Sequence, residues 1–178
     1  MIMNNLRRFI LMLLPVALIA ISCTSKRDKE VSRISELEEN LKQQAARPEA
    51  AKLDELLALY TGFVDTYPQD TAAAMYLYRA VNLSMGMGKG EVALKLIDRS
   101  INEYPQSPRY AETVFLKAYV YENLLGKLGS ASEIYRDFIH RFPDHELADD
   151  AQAAIQNLGK TPEQLVEEFE RNAAANAQ

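Results

Sequence analysis

Apolar side chains recur at helical spacing along most of the chain. From Val31, Ile34, Leu37 and Leu41 stand among Glu, Lys and Gln, which predicts an amphipathic helix that ends before Pro48. The periodic stretch is too short for a free-standing coiled coil, so this helix is expected to pack on a neighbour. Leu53, Leu56, Leu57, Tyr60 and Phe63 predict a second helix over Ala50–Thr66, closed by Tyr67-Pro68. Asp70 or Thr71 is placed to cap a third, Ala72–Met85. A glycine-rich turn through Gly86, Gly88 and Gly90 leads to a fourth, Glu91–Asn102, with Val92, Leu94, Leu96, Ile97 and Ile101 apolar.

Tyr104-Pro105 ends that helix, and Ser107-Pro108 open the next, expected to run to about Leu125. Gly126 and Gly129 bracket a turn. Ser130, with Glu133 three residues on, reads as a capping box for Ala131–Arg141. Asp144 is placed to cap a helix from His145 to about Leu158. Thr161, Pro162 and Gln164 announce a last helix whose stripe is Leu165, Val166 and Phe169, before an Ala/Asn-rich end.

These helices repeat. With Pro143 set on Pro105, an offset of 38 residues places Phe142 on Tyr104, Ala131 on Ala93, Ala118 on Ala80 and Tyr121 on Leu83. Tyr67-Pro68 precedes Tyr104-Pro105 by 37. Spacings of this size mark stacked repeats. With small residues at Ala80 and Ala118 in the first helix of a pair and Ala93 and Ala131 in the second, the unit resembles a tetratricopeptide (TPR) repeat with a longer period. Its aromatic-proline ending is similar to that of outer-membrane TPR lipoproteins, among them the lipoprotein of the β-barrel assembly machinery and the coordinator of the Tol-Pal system. The resemblance covers Leu53 to about Leu158. It implies an all-α, TPR-like α-α superhelix of about three helix pairs with a C-terminal capping helix, in which the first helix of each pair lines a concave binding side.

The N-terminus reads as an address. Arg7 and Arg8 precede an apolar run, Phe9–Ile21, that is too short to span a bilayer and is followed by Ser22 and Cys23. This is a secretory signal over residues 1–22, and Phe9 follows the arginine pair too closely for a twin-arginine signal. LIAISC, Leu18–Cys23, resembles the bacterial lipobox, which implies lipid on the sulfur of Cys23 and a membrane-tethered protein. Thr24 follows the cysteine, so the resemblance points to the outer membrane. The remaining layout is a polar tether over 23–30, a repeat domain over 31–172 and a tail over 173–178.

Charge narrows the partners. Arg7 and Arg8 leave with residues 1–22, so the 20 basic residues become 18 against 25 acidic, and the body carries −7. Nucleic acid needs a basic face, so it is an unsuitable partner. Cys23 is the sole cysteine, which excludes an intramolecular disulfide.

Residues suited to catalysis or cofactor binding are sparse. Gly88-Lys89 lacks the glycine and hydroxyl of a phosphate loop, since Leu83 and Gly90 stand at those positions. His140 and His145 are separated by Pro143 and read as polar turn residues, not metal ligands. Ser130 reads as a cap, and Tyr60, Tyr78, Tyr121 and Tyr135 as packing residues. No catalytic, cofactor or metal residue is assigned, and no small-molecule substrate is expected.

With Ala118 as the small packing residue, Phe115 and Tyr119 fall on the concave side, Glu112 and Glu122 lie a turn away, and Leu77 and Val81 are their counterparts 38 residues earlier. This apolar strip with an acidic edge is the expected protein-binding groove, unless the helix around Leu37 and Leu41 or the final helix fills it. The expectation is a non-enzymatic scaffold for envelope proteins. A chaperone or carrier for unfolded outer-membrane or lipid cargo is the alternative.

Overall fold

The computed structural model describes residues 25–43 and 48–176, except for the side chains of 169 and 174–176. The expected signal over 1–22 and the expected lipidation of Cys23 fall outside the described residues. Those residues form eight α-helices and no strand: α1 (Lys26–Gln43), α2 (Ala50–Thr66), α3 (Ala73–Gly86), α4 (Gly90–Glu103), α5 (Tyr110–Asn123), α6 (Leu128–Arg141), α7 (Ala148–Asn157) and α8 (Pro162–Asn176).

The chain divides into two compact units, Met1–Ala45 and Ala46–Gln178. In the first, α1 starts ahead of the expected Val31, so much of the segment read as a bare tether is helical. Ser25 explains this: its Oγ accepts the Asp28 N–H at 3.1 Å, and Asp28 places a negative charge in the first turn, where the helix dipole favours it.

In the second unit each helix from α2 to α6 packs on the next, with α3–α4 and α5–α6 the most extensive contacts. The core runs through Tyr60, Phe63, Tyr76, Leu77, Ala80, Val81, Ala93 and Ile97 into Val114, Ala118, Ala131, Tyr135 and Phe138. Burying each large side chain contributes about 1.5–3 kcal/mol. Ala93, Ala118 and Ala131 are wholly buried, as their reading as close-packing positions requires.

Three interhelical turns share one geometry. Tyr67, Tyr104 and Phe142 have φ near −130° and ψ of 53–57°, and each donates its N–H to the carbonyl four residues back. Asp70, Ser107 and His145 then occupy the same place in each turn. Each donates its N–H to the aromatic residue's carbonyl. Each also accepts an N–H two residues on: Ala72 to Asp70 Oδ1 at 2.9 Å, Arg109 to Ser107 Oγ at 3.2 Å, and Leu147 to His145 Nδ1 at 3.1 Å. His145, not Asp144, therefore supplies the side-chain acceptor before α7. The extra turn delays α3, α5 and α7 to Ala73, Tyr110 and Ala148, later than the sequence signals suggest.

The repeat has two registers. Second helices follow the aromatic-proline marks: Leu56, Tyr60 and Phe63 match Ala93, Ile97 and Ser100 at 37, and these match Ala131, Tyr135 and Phe138 at 38, all buried. First helices α3 and α5 match at 37, with Tyr76, Leu77 and Val81 on Thr113, Val114 and Ala118, again all buried. The pairing of Ala118 with Ala80, and of Tyr121 with Leu83, is thus one residue out of step. The extra residue enters the turn between α5 and α6: after α3, Lys89 N–H donates to Ser84 O, while after α5, Lys127 N–H reaches one residue further back, to Tyr121 O.

That turn also corrects the expected capping box. Gly126, at φ +64°, closes α5 in the conformation that glycine adopts without strain, and α6 begins at Leu128, leaving Ser130 and Glu133 inside the helix.

At the C-terminal end, Ala151, Ala154, Ile155 and Leu158 pack on the α6 core while Asp149, Asp150, Gln152 and Gln156 are exposed. The polar outer face needed at the end of a helical stack is therefore already present on α7. The capping box of α8 forms as expected, Thr161 N–H to Gln164 Oε1 at 2.9 Å and Gln164 N–H to Thr161 Oγ1 at 3.3 Å. Among the described residues no helix packs extensively on α8, Val166 is exposed and Leu165 partly buried, while the side chain of Phe169, the third residue of the expected covering stripe, lies outside the described residues.

Candidate protein-binding face

The six residues expected to line a groove separate into three environments. Leu77 and Val81 are core residues with 0% exposure, because at the true offset they match Val114 and Ala118 and not Phe115 and Tyr119. Phe115 is half-buried, its ring 5.4 Å from Tyr135 and 5.6 Å from Phe138, so it packs on the α6 core. Glu122 accepts the Tyr135 hydroxyl at 2.9 Å, which turns its carboxylate toward α6. Burial first, and then this carboxylate, push the Tyr135 phenol well above its ordinary range.

Glu112 and Tyr119 remain on an accessible face. The positions 37 residues before Glu112, Phe115 and Tyr119 are Met75, Tyr78 and Asn82, and the structure joins the two sets. Tyr78 Oη donates to Glu112 Oε2 at 2.9 Å, bridging α3 and α5. Arg109 Nη1 lies 2.6 Å from Glu112 Oε1, and the Arg109 guanidinium sits over the Tyr78 ring at 5.5 Å. Burial and Glu112 raise the Tyr78 phenol pKa, which keeps it a hydrogen-bond donor. Around this cluster Met75 is 42% and Tyr119 41% exposed, and Asn82 and Asn123 are exposed on the same helices. Asn82 Nδ2 donates to the Tyr78 carbonyl at 2.9 Å, and Asn123 Nδ2 to that of Tyr119 at 3.2 Å, which fixes both amides along the helix.

Met75, Tyr78 and Asn82 are thus the residues that the sequence offset missed. Their signal was present in the 37-residue step between Tyr67-Pro68 and Tyr104-Pro105. A flexible thioether, two phenols and oriented amides over an internally neutralised Arg–Glu pair make a face suited to protein contact.

An open cleft of about 340 Å³ lies between two successive turns and is lined by residues including Pro68, Asp70, Tyr104, Pro105 and Ser107. Three of its polar side chains are already engaged: Asp70 and Ser107 hold the turns, and Tyr104 Oη donates to Pro68 O at 3.0 Å. Among the described residues, no three His, Cys, Asp or Glu side chains gather as metal ligands. Neither a protein-family model nor a curated protein matches this chain.

Proposed function

We propose that this chain is an exported lipoprotein, tethered at the outer membrane through Cys23, whose TPR-like superhelix is a non-enzymatic scaffold for envelope proteins. A partner's extended segment or helix lies across the first helices of successive pairs, on Met75, Tyr78 and Asn82 of α3 and Glu112, Phe115 and Tyr119 of α5. One observation carries the reading: Met75 and Tyr119, both large and more than two-fifths exposed, flank the Tyr78–Glu112 bridge on adjacent helices. Exposed aromatic anchors beside satisfied polar groups are what affinity hot spots are made of, each contributing about 2 kcal/mol or more when covered.

A photo-crosslinking residue at Met75 or Tyr119, compared with one at Val92 on α4, tests the face in intact cells. A few discrete adducts from the first two positions and none from Val92 are expected. Equal labelling from all three positions overturns the face, and a continuum of adducts marks a chaperone for many clients. The tether is tested separately by Cys23→Ala, which is expected to move the protein from the membrane to the soluble envelope fraction. Sedimentation unchanged by that substitution refutes lipid anchoring.

A further inference from the structure

Helix α8 begins with a formed cap and leaves Val166 exposed. Its reciprocal Thr161–Gln164 cap satisfies the first turn, and Lys160 Nζ bonds Glu168 across that turn. Yet no described helix packs extensively along it, and Val166, at 57%, is the most exposed large apolar side chain among the described residues. A helix of this length is marginal alone in water, and most helical stability comes from packing an apolar face. Since α7 already presents polar residues outward, the exposed Val166, beside a partly buried Leu165, is available for something else.

The borders of the stripe identify the occupant. At about 100° per residue, Leu165, Val166 and Ala173 share one face. Glu163 and Glu170 border it on one side and Glu168 on the other, while the only cation of the helix, Arg171, falls on the opposite side. Its own backbone N–H and the Thr161 side chain hold the Glu163 carboxyl below its ordinary range, and Lys160 does the same for Glu168, so both are anionic at neutral pH. A second copy of α8 would set like charges against each other. An anionic bilayer would repel the same border. The complementary surface is an apolar stripe flanked by Lys or Arg.

We propose that α8 is a docking helix for a cationic amphipathic helix of a protein partner, which covers Leu165 and Val166 and pairs with Glu163 and Glu170. This surface is separate from the face on α3 and α5 and does not depend on the reading of that face.

The test is fluorescence anisotropy of the full chain with a labelled synthetic Leu/Lys amphipathic peptide, with a Leu/Glu peptide of the same apolar stripe as control. The Leu/Lys peptide alone is expected to bind, and truncation after Lys160 to weaken it by about tenfold or more, as loss of one buried aliphatic anchor would. Val166→Asp separates docking from charge attraction. It adds a carboxylate, so a purely electrostatic association strengthens, whereas docking weakens by a similar factor. Glu163→Gln with Glu170→Gln preserves helix propensity, checked by circular dichroism, and is expected to weaken binding in the same direction. Binding unchanged by truncation, strengthened by Val166→Asp or equal for the Leu/Glu peptide overturns the proposal. So does α8-dependent dimerisation, or α8-dependent retention on phosphatidylcholine/phosphatidylglycerol vesicles.

Discussion

The N–H of Lys127 donates to the carbonyl of Tyr121 at 2.7 Å, one residue further back than the equivalent bond from Lys89 to Ser84. The Lys127 ammonium also lies over the Tyr121 ring at 5.8 Å. This longer turn brings Leu124 and Leu125 against the start of the preceding second helix. A Cβ at Gly90 would stand 2.8 Å from Leu125 Cδ2 and 3.0 Å from Leu124 Cβ. Gly90→Ala is therefore expected to destabilise by about 1–3 kcal/mol through overpacking. Gly62 lies inside α2 with nothing within 4 Å of a built Cβ, so Gly62→Ala should stabilise by about 0.5–1 kcal/mol. Chemical denaturation of the two variants checks the opposite signs.

His145 holds the third turn as Asp70 and Ser107 hold the first two. Its ring also stands edge-on to Phe138 with centroids 5.5 Å apart. His145→Ala should cost about 1 kcal/mol by removing the acceptor for Leu147 N–H. His145→Asp, which copies the first turn, should recover most of this loss. A melt in which both variants lose equally would assign the whole effect to the Phe138 contact.

Tyr67 and Tyr104 occupy the same backbone conformation, but their hydroxyls differ. Tyr104 Oη donates to Pro68 O, whereas Tyr67 Oη is buried without a hydrogen-bond partner among the described residues. Tyr67→Phe is expected to be neutral or to stabilise by up to about 1 kcal/mol, since it removes an unsatisfied polar atom. Tyr104→Phe should destabilise by about 0.5–1 kcal/mol. Phenylalanine already stands at the third position, Phe142. Melting temperatures that fall equally for the two variants would mean that Tyr67 Oη is satisfied in solution.

The buried Tyr135 phenol gives stability an alkaline limit. Its pKa is raised by burial and by Glu122, so the folded state keeps its proton at pH values where the unfolded state has lost it. The stabilisation is complete below the unfolded tyrosine value of about 10 and declines as pH rises beyond it toward the folded value. Tyr135→Phe should cost about 1–3 kcal/mol at neutral pH by leaving Glu122 without its donor, and should flatten the loss of stability above about pH 10. Tyr78 and Tyr104, also raised, contribute in the same direction to the slope that remains. Unfolding free energies at neutral pH and at about pH 11 provide the comparison; an unchanged slope in Tyr135→Phe would exclude this residue as the source.

Local chemistry sufficed for the helical class and much of its punctuation. Ala50–Thr66 is helical over the range that its apolar spacing and Tyr67-Pro68 indicate, and Thr161 with Gln164 forms the box their spacing implies. These signals act within one or two turns of chain, so no distant residue is needed to read them. Where several residues compete to begin a helix, their preferences differ by only about 1 kcal/mol and packing decides. Thus His145 displaces Asp144 as the acceptor, and Leu128, after the Gly126 turn, pre-empts Ser130. The face of each first helix depends on something less local still. One residue added to a turn leaves every later helix intact in sequence yet shifts the comparison by about 100° around the axis. That rotation separates Leu77 and Val81, sealed in the core, from Tyr78 and Asn82, which share the accessible side with Tyr119. Side-chain type cannot settle it, because leucine, valine and tyrosine all suit a helix interior or a contact surface. Only the packing of α3 on α4 and of α5 on α6 determines which of them meets water.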